Sequence, residues 1–160
     1  MTVNSSNVLL LKKGREKLII SLALAKALID VAEKQAISMG INEDIAVVDE
    51  GGNLIAFHRM DNAKIAGIDI AINKAWTSVA LQIPTENLVS AAQPGSPSFG
   101  INTTNQGRVV ILGGGIPLIY KNKVIGGIGV SGATSAQDIE VANAGVQAFQ
   151  KVTYTRRNNQ

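Results

Sequence analysis

The densest group of chemically useful side chains in this sequence consists of His58, Arg59 and Asp61. Together they offer an imidazole as iron ligand or general acid, a guanidinium for an anionic group and a carboxylate for proton transfer. Strand-like residues precede them and helix-like residues follow, so we expect them at a strand-to-helix junction. A plainer interpretation stays open, in which Asp61 caps the following helix and Arg59 is its surface partner.

Lys74 is a second candidate, because it is a cation inside an apolar helical segment. It could bind a ligand or transfer a proton in a buried setting. It could also extend its charged end to solvent along an apolar stem, as long side chains commonly do. Lys74 falls on a different helical face from Ile68 and Ile72, which favours the exposed alternative.

Three successive glycines, Gly113, Gly114 and Gly115, stand two positions before Pro117. Each glycine costs roughly 0.5–1 kcal/mol relative to alanine, and a turn does not need three of them. We therefore expect another subunit, a ligand or a packed helix to approach this backbone closely. Exposed amides here could also bind an anionic group.

Gly127, Gly129 and Gly132 satisfy G-x-G-x-x-G after a strand and before a helix. A dinucleotide site also needs a second parallel strand with an acidic residue, and the chain ends one helix later. We expect instead a close contact with a helix or subunit, which Gly127→Val should break. Ser131 is a further ligand-binding candidate. A role as a nucleophile is not favoured, because its base would have to be His58, which is far away in sequence.

Composition removes several classes of site and partner. Without cysteine there can be no disulfide, thiolate zinc site or iron–sulfur cluster, and a single histidine leaves no multi-histidine site, so we predict no metal site. Six aromatic residues in all and basic residues concentrated near the two ends argue against nucleic-acid binding. Charged residues interrupt the apolar segment over residues 18–39, which predicts an amphipathic helix, not a membrane span, in a cytoplasmic protein.

The remaining pattern predicts a single α+β domain over residues 1–160, with its core at about 15–152 between a flexible arm and a flexible tail. Helices are predicted at residues 15–39, 62–82, 84–92 and 134–152. Strands are predicted at residues 44–50, 53–60, 108–112, 116–120 and 124–130. Short links between strands indicate antiparallel pairing, so the expected architecture is a five-stranded antiparallel sheet covered by helices.

Four segments in order, residues 48–63, 68–75, 113–117 and 124–134, resemble the GlcG/HbpS family. This family includes haem-binding HbpS-like proteins, GlcG and the C-terminal domain of PduO-type proteins. The resemblance extends from about Leu18 to Phe149. It implies a profilin-like five-stranded sheet in α/β/α layers and assembly into dimers, often octamers.

The resemblance also implies a small-ligand binding protein whose ligand is haem or another tetrapyrrole. Arg59 would then pair with a propionate, and His58 or an oxygen donor would approach the iron. Asn62 departs from the family, which commonly has glycine there. Two alternatives stay open. One is an enzyme or accessory factor for a small catabolic intermediate or a corrinoid, in which Arg59 holds the anion and Asp61 or Lys74 transfers protons. The other is a purely structural assembly protein.

Overall fold

Helices cover both faces of one antiparallel sheet in the computed structural model, which describes residues 18–157. The helices are α1 (Leu22–Ser38), α2 (Ile65–Leu81), α3 (Asn87–Ala91) and α4 (Ser135–Arg157), and the strands are β1 (Asp44–Asp49), β2 (Leu54–Arg59), β3 (Gly115–Tyr120) and β4 (Lys123–Ser131). The strand order is β2-β1-β4-β3. The α+β class with antiparallel strands is thus confirmed, in three layers. No helix in the described part of the chain has the length and apolar character needed to cross a membrane.

The ends of α1 follow local sequence rules. Ser21 precedes the helix in an extended conformation, and its side chain accepts a hydrogen bond from the Leu24 N–H at 3.1 Å. Gly40 has a φ of +67° just after the last turn, as expected for a glycine that ends a helix. The predicted start at residue 15 lies outside the described residues.

Removing the Ser21 cap is expected to cost about 1 kcal/mol of unfolding free energy, because Ser21→Ala leaves the Leu24 amide without its acceptor. Urea denaturation of the two chains would measure the difference. A cost near zero would show that solvent replaces the cap without penalty.

The sheet has four strands, so the prediction of five was wrong. Residues 108–112 form no strand, because neighbouring side chains occupy their backbone polar groups. Thr77 Oγ1 donates to the Arg108 carbonyl at 3.3 Å and accepts from the Val110 N–H at 3.1 Å. Thr85 Oγ1 donates to the Leu112 carbonyl at 2.6 Å. A segment whose hydrogen bonds end on helix and loop side chains is not available to a strand ladder.

The central strands β1 and β4 divide their side chains between two cores, because alternate residues of a strand face opposite sides of the sheet. Ile45, Val47, Ile128 and Val130 pack under α1 and α4. The other face packs under α2 through a smaller apolar set, Ala46, Val48, Ala71, Ala75 and Val79. The α2 side is therefore made of small residues, which allow the helix to lie close to the sheet.

The C-terminal helix is longer than expected. Residues 153–157 continue α4, although a polar tail was predicted from residue 153. Thr153 and Thr155 direct their hydroxyls to carbonyls of the preceding turn, so polar residues are accommodated within the helix. The predicted arm before residue 18 lies outside the described residues.

Candidate functional site

His58 lies on edge strand β2 and faces α1. Its Nδ1 is 2.9 Å from Oε2 of Glu33 on α1, and both side chains are about one-third exposed (37% and 35%). A carboxylate on Nδ1 fixes the ring orientation and leaves Nε2 as the nitrogen available to an external group. The sequence-predicted imidazole is thus held at the surface by an acid 25 positions earlier in the chain.

Asp30 completes a small cluster with Glu33 and His58. One potential ligand atom from each residue lies within 4.8 Å of the others. Two carboxylates and one imidazole are a suitable donor set for a divalent transition metal. Sequence reasoning predicted no metal residues, because it weighed histidine and cysteine numbers and did not pair His58 with acids on a helix. The spacing of Asp30 and Glu33, one helical turn apart, was the available signal.

Arg59 lies on the opposite side of β2 from His58, because successive strand residues alternate in direction. Its Nη2 donates to the Ala63 carbonyl at 2.8 Å, and its Cα is paired with that of Asp44 on β1. Arg59 itself is exposed. The structure therefore does not bring His58 and Arg59 to one face, although they are adjacent in sequence.

Asp61 is exposed in the turn that follows β2 and is not the cap of α2, whose N-cap residue is Lys64. Asn62 has a φ of +64°. Glycine and asparagine both tolerate this left-handed conformation, so Asn62 can stand where the resemblance implied glycine.

Lys74 is buried, with 1% of its surface exposed, so the expectation that its charge reaches solvent was wrong. Its Nζ donates to Asp138 Oδ2 at 2.6 Å and to the Val130 carbonyl at 2.8 Å. The ammonium therefore lies between the end of β4 and the first turns of α4. A helical-wheel argument could not show this, because the acid partner is 64 positions away.

Two further acids at the start of β1 are fully buried: Glu43 lies beside this ion pair, and Asp44 lies close to Arg59. Their carboxylate oxygens have no hydrogen-bond partner among the described residues. Burial, followed by the negative charge of Asp138, raises the pKa of Glu43 to about 8, against the opposing charge of Lys74. Burial also raises the pKa of Asp44, and the positive charge of Arg59 partly offsets this. We call Glu43, Asp44, Lys74 and Asp138 the buried charge cluster.

The glycines of the 113–115 segment make room for the buried charge cluster and the two helices around it. Gly114 has a φ of +119°, and a Cβ there would lie 2.6 Å from the Val130 carbonyl oxygen and 3.0 Å from Lys74 Nζ. A Cβ on Gly113 would lie 2.6 Å from Ile139 Cδ1, and one on Gly115 would overlap the Lys74 carbonyl. The expected close approach is therefore that of packed helices.

Pro117 and Ser131 lie on the α2 face of the sheet. Pro117 is buried in edge strand β3, where its missing N–H can be tolerated, and its Cα is paired with that of Gly127. Ser131 is 7% exposed at the end of β4, with its Cα paired to that of Asp44. Ser131 thus borders the buried charge cluster and is remote from the face that carries His58.

Two cavities in the described part of the chain lie away from His58 and Arg59. One, of about 440 Å³, lies along α4 beside Gln35 and Glu140. The other, of about 460 Å³, lies beside Ile119 and Asn122 at the turn between β3 and β4. His58 therefore lies outside both of these cavities, on a partly exposed surface.

Comparison with known proteins identifies the family of this chain. Residues 20–147 match the family model described as haem degrading protein HbpS-like. An uncharacterized 15.0 kDa protein from the dhaT-dhaS intergenic region of Citrobacter freundii is 39% identical over 142 residues, which are 89% of this chain and all of that protein.

Two PduO comparisons extend the match to a larger protein and to a solved structure. The corrinoid adenosyltransferase PduO of Citrobacter freundii is 36% identical over 69% of this chain, which spans only 33% of that enzyme. The crystal structure of a PduOC:Heme complex is 32% identical over 81% of this chain and 94% of that one, with a TM-score of 0.79. On these matches of sequence and fold, the chain belongs to the HbpS-like family.

Proposed function

We propose that this chain binds a tetrapyrrole, with haem as the first candidate, and does so as a homo-oligomer. The supporting observation is its likeness in sequence and fold to a protein whose crystal structure is a haem complex. Membership of a family described as haem degrading supports the same ligand class. Haem degradation itself is not part of the proposal, which concerns binding.

His58 fits the role of an iron donor. Histidine is a common axial ligand of haem iron, and a metal-ligating histidine usually gives its second nitrogen to a carboxylate. Glu33 already supplies that carboxylate at 2.9 Å from Nδ1. Bound haem would supply the redox chemistry of its iron, while Glu33 and His58 supply orientation and a neutral nitrogen donor.

Arg59 does not share a face with His58, so one chain cannot hold one flat ligand with both residues. We propose that two copies of the chain together form the binding surface, with the exposed Arg59 guanidinium pairing with a propionate at its rim. Both residues lie on β2, an edge strand of the sheet that the described residues form, and a second copy could align along that edge. The profilin-like classification and the octamer stay predictions.

Haem titration of the full chain tests this proposal through the Soret band. We expect a shifted Soret band for the native chain. The dissociation constant for haem should be at least about tenfold higher in His58→Ala, and it should rise less in Glu33→Gln. Glu86→Gln, an exposed change on another element, is the matched control. A spectrum identical to that of free haem, or one unchanged in His58→Ala, would contradict His58 ligation.

A corrinoid is the second candidate ligand, because the chain matches one third of a corrinoid adenosyltransferase. A ligand that binds only the folded state raises the melting temperature. We therefore expect cobalamin to raise it more than haem does if the corrinoid alternative is right. Stabilisation by neither ligand would favour the purely structural alternative.

Lys74 and Asp61 lose support as proton-transfer residues in an enzyme. Lys74 is buried and bonded to Asp138 and a main-chain carbonyl, so a substrate could not reach its Nζ without rearrangement. Asp61 is exposed in a turn, apart from the buried charge cluster. The geometry therefore favours binding over catalysis at the sequence-predicted residues.

A further inference from the structure

The buried charge cluster contains more acid than base. Its three carboxyl groups, Glu43, Asp44 and Asp138, are at most 3% exposed, and Lys74 is the only base among its four members. Full ionisation would bury an excess of two negative charges within the cluster, and Arg59 outside it offsets part of the charge on Asp44. Burying an uncompensated charge costs so much that a group takes up a proton instead. The folded chain must therefore keep at least one proton on this cluster near neutral pH.

Glu43 is the member best placed to hold that proton. Asp138 has Lys74 Nζ at 2.6 Å from Oδ2 and the Ala133 N–H at 3.1 Å from Oδ1, so both of its oxygens are occupied. Asp44 faces the Arg59 charge across the strand pair. The Glu43 carboxyl has no hydrogen-bond partner among the described residues, and the negative charge of Asp138 disfavours its ionisation more than Lys74 favours it. The direction of its pKa shift, upward, agrees with this assignment.

Glu43, at the start of β1, contacts two further elements through its backbone and its side chain. Its N–H donates to Met60 Sδ at 3.3 Å, and its carbonyl accepts from the Met60 N–H at 3.0 Å, which joins it to the end of β2. Its side chain lies against Gly132, where an added Cβ would overlap Glu43 Oε2. Gly132 belongs to the turn between β4 and α4. A charge on Glu43 would therefore act directly on the β2 end and on this turn.

We propose that Glu43 is a proton-operated latch, which closes the junction of β1, the end of β2 and the turn into α4 when it is a neutral acid and loosens that junction when it loses its proton. Ionised Glu43 would be a buried carboxylate beside Asp138 and Lys74, and the repulsion from Asp138 would exceed the attraction to Lys74. Burial and this repulsion both disfavour the negative charge. Water can solvate the charged carboxylate only when the junction opens, so ionisation favours the open form. The segment that opens includes Met60, two residues after His58.

Unfolding measured as a function of pH tests the proton on Glu43. The pKa of Glu43 rises from 4.5 to about 8 on folding, so the folded chain binds one more proton than the unfolded chain between these values. The unfolding equilibrium constant of the native chain, divided by that of Glu43→Gln, should rise about tenfold per pH unit in this window and level off above it. Glutamine copies the neutral acid in size and polarity, so the variant should fold.

Glu140→Gln, an exposed change on α4, should show the same pH dependence as the native chain. Parallel curves for the native chain and Glu43→Gln would overturn the proposal, because they would mean that Glu43 binds no extra proton. Haem is absent from this measurement, so its outcome does not depend on the proposed ligand.

Amide hydrogen exchange tests the loosening at the junction itself. Between pH 7 and pH 9, after correction for base catalysis, we expect protection of the Met60 and Ala133 amides to fall at least about tenfold in the native chain and to stay constant in Glu43→Gln. Amides of the central Val47–Ile128 pair, which exchange through global unfolding, should lose only the protection that the measured change in the unfolding equilibrium constant accounts for, and should stay better protected than Met60 and Ala133 at pH 9. Equal protection of all four amides at pH 9, or no loss at Met60 and Ala133, would overturn the latch.

Discussion

Replacing Lys74 by methionine is expected to lower the free energy of unfolding by about 3–5 kcal/mol, the usual cost of removing one partner from a buried ion pair. Lys74 is 1% exposed and holds Asp138 at 2.6 Å. Methionine keeps most of the side-chain volume but leaves Asp138 facing Glu43 without a cation. The loss therefore comes from the uncompensated charge and not from a cavity. Urea denaturation at pH 7 would measure it.

Two further variants separate this effect from a general loss of lysine. Lys26→Met changes an exposed lysine on α1 and should stay within about 0.5 kcal/mol of the native chain. The double change Lys74→Met with Asp138→Asn should cost less than the sum of the single changes, because it removes both charges of the pair. A loss below about 1 kcal/mol for Lys74→Met would show that Asp138 finds another partner or a proton at little cost.

Gly129→Ala is expected to lower the free energy of unfolding by about 3 kcal/mol, the upper end of the usual range for overpacking. A Cβ at Gly129 would overlap the Ala71 carbonyl and lie 2.5 Å from the Ala75 main-chain nitrogen. Main-chain atoms in the middle of α2 cannot move aside as a flexible side chain can. The helix must shift away from the sheet, which opens gaps along its small-residue face.

Gly51→Ala is the matched control, since its Cβ would meet side-chain atoms alone, with the end of the exposed Asn53 side chain at 2.9 Å and Asp49 Oδ1 at 3.4 Å. That side chain can rotate, so the expected cost is below about 1 kcal/mol. Equal losses for the two alanine variants would contradict the close-contact interpretation. Gly127 lies on the same face, and a Cβ there would lie 2.8 Å from the Ala75 carbonyl oxygen, so the contact inferred from its glycine pattern is a helix contact within the chain.

Local patterns in the sequence were reliable where a short segment determines its own structure. Gly51 and Gly52 predicted the tight turn of the β1–β2 hairpin, and Asn122 predicted the left-handed turn before β4, where its φ is +61°. Such turns depend on φ preferences of single residues, which the residue type reveals. The antiparallel α+β architecture followed from the short links between strands.

Residues 108–112 show where local patterns were insufficient. Their β-branched composition predicted a strand, but Thr77 and Thr85 bind their backbone groups from other elements. Nothing within the segment indicates that competition, because strand formation depends on a neighbouring strand with free hydrogen-bonding groups. The sequence therefore predicted one strand more than the sheet contains.

Sequence by itself determined the family, the antiparallel hairpins, the close backbone approach at the glycines and the residue types available for chemistry. Tertiary structure alone decided which of these residues meet. It buried Lys74 against Asp138, paired His58 with Glu33 and separated His58 from Arg59 by the alternation of an edge strand. Contacts between residues 25 or 64 positions apart depend on how helices pack across the sheet, and no local periodicity encodes that distance. The electrostatics of the chain follow from those contacts, because burial and neighbouring charge set the protonation of each group.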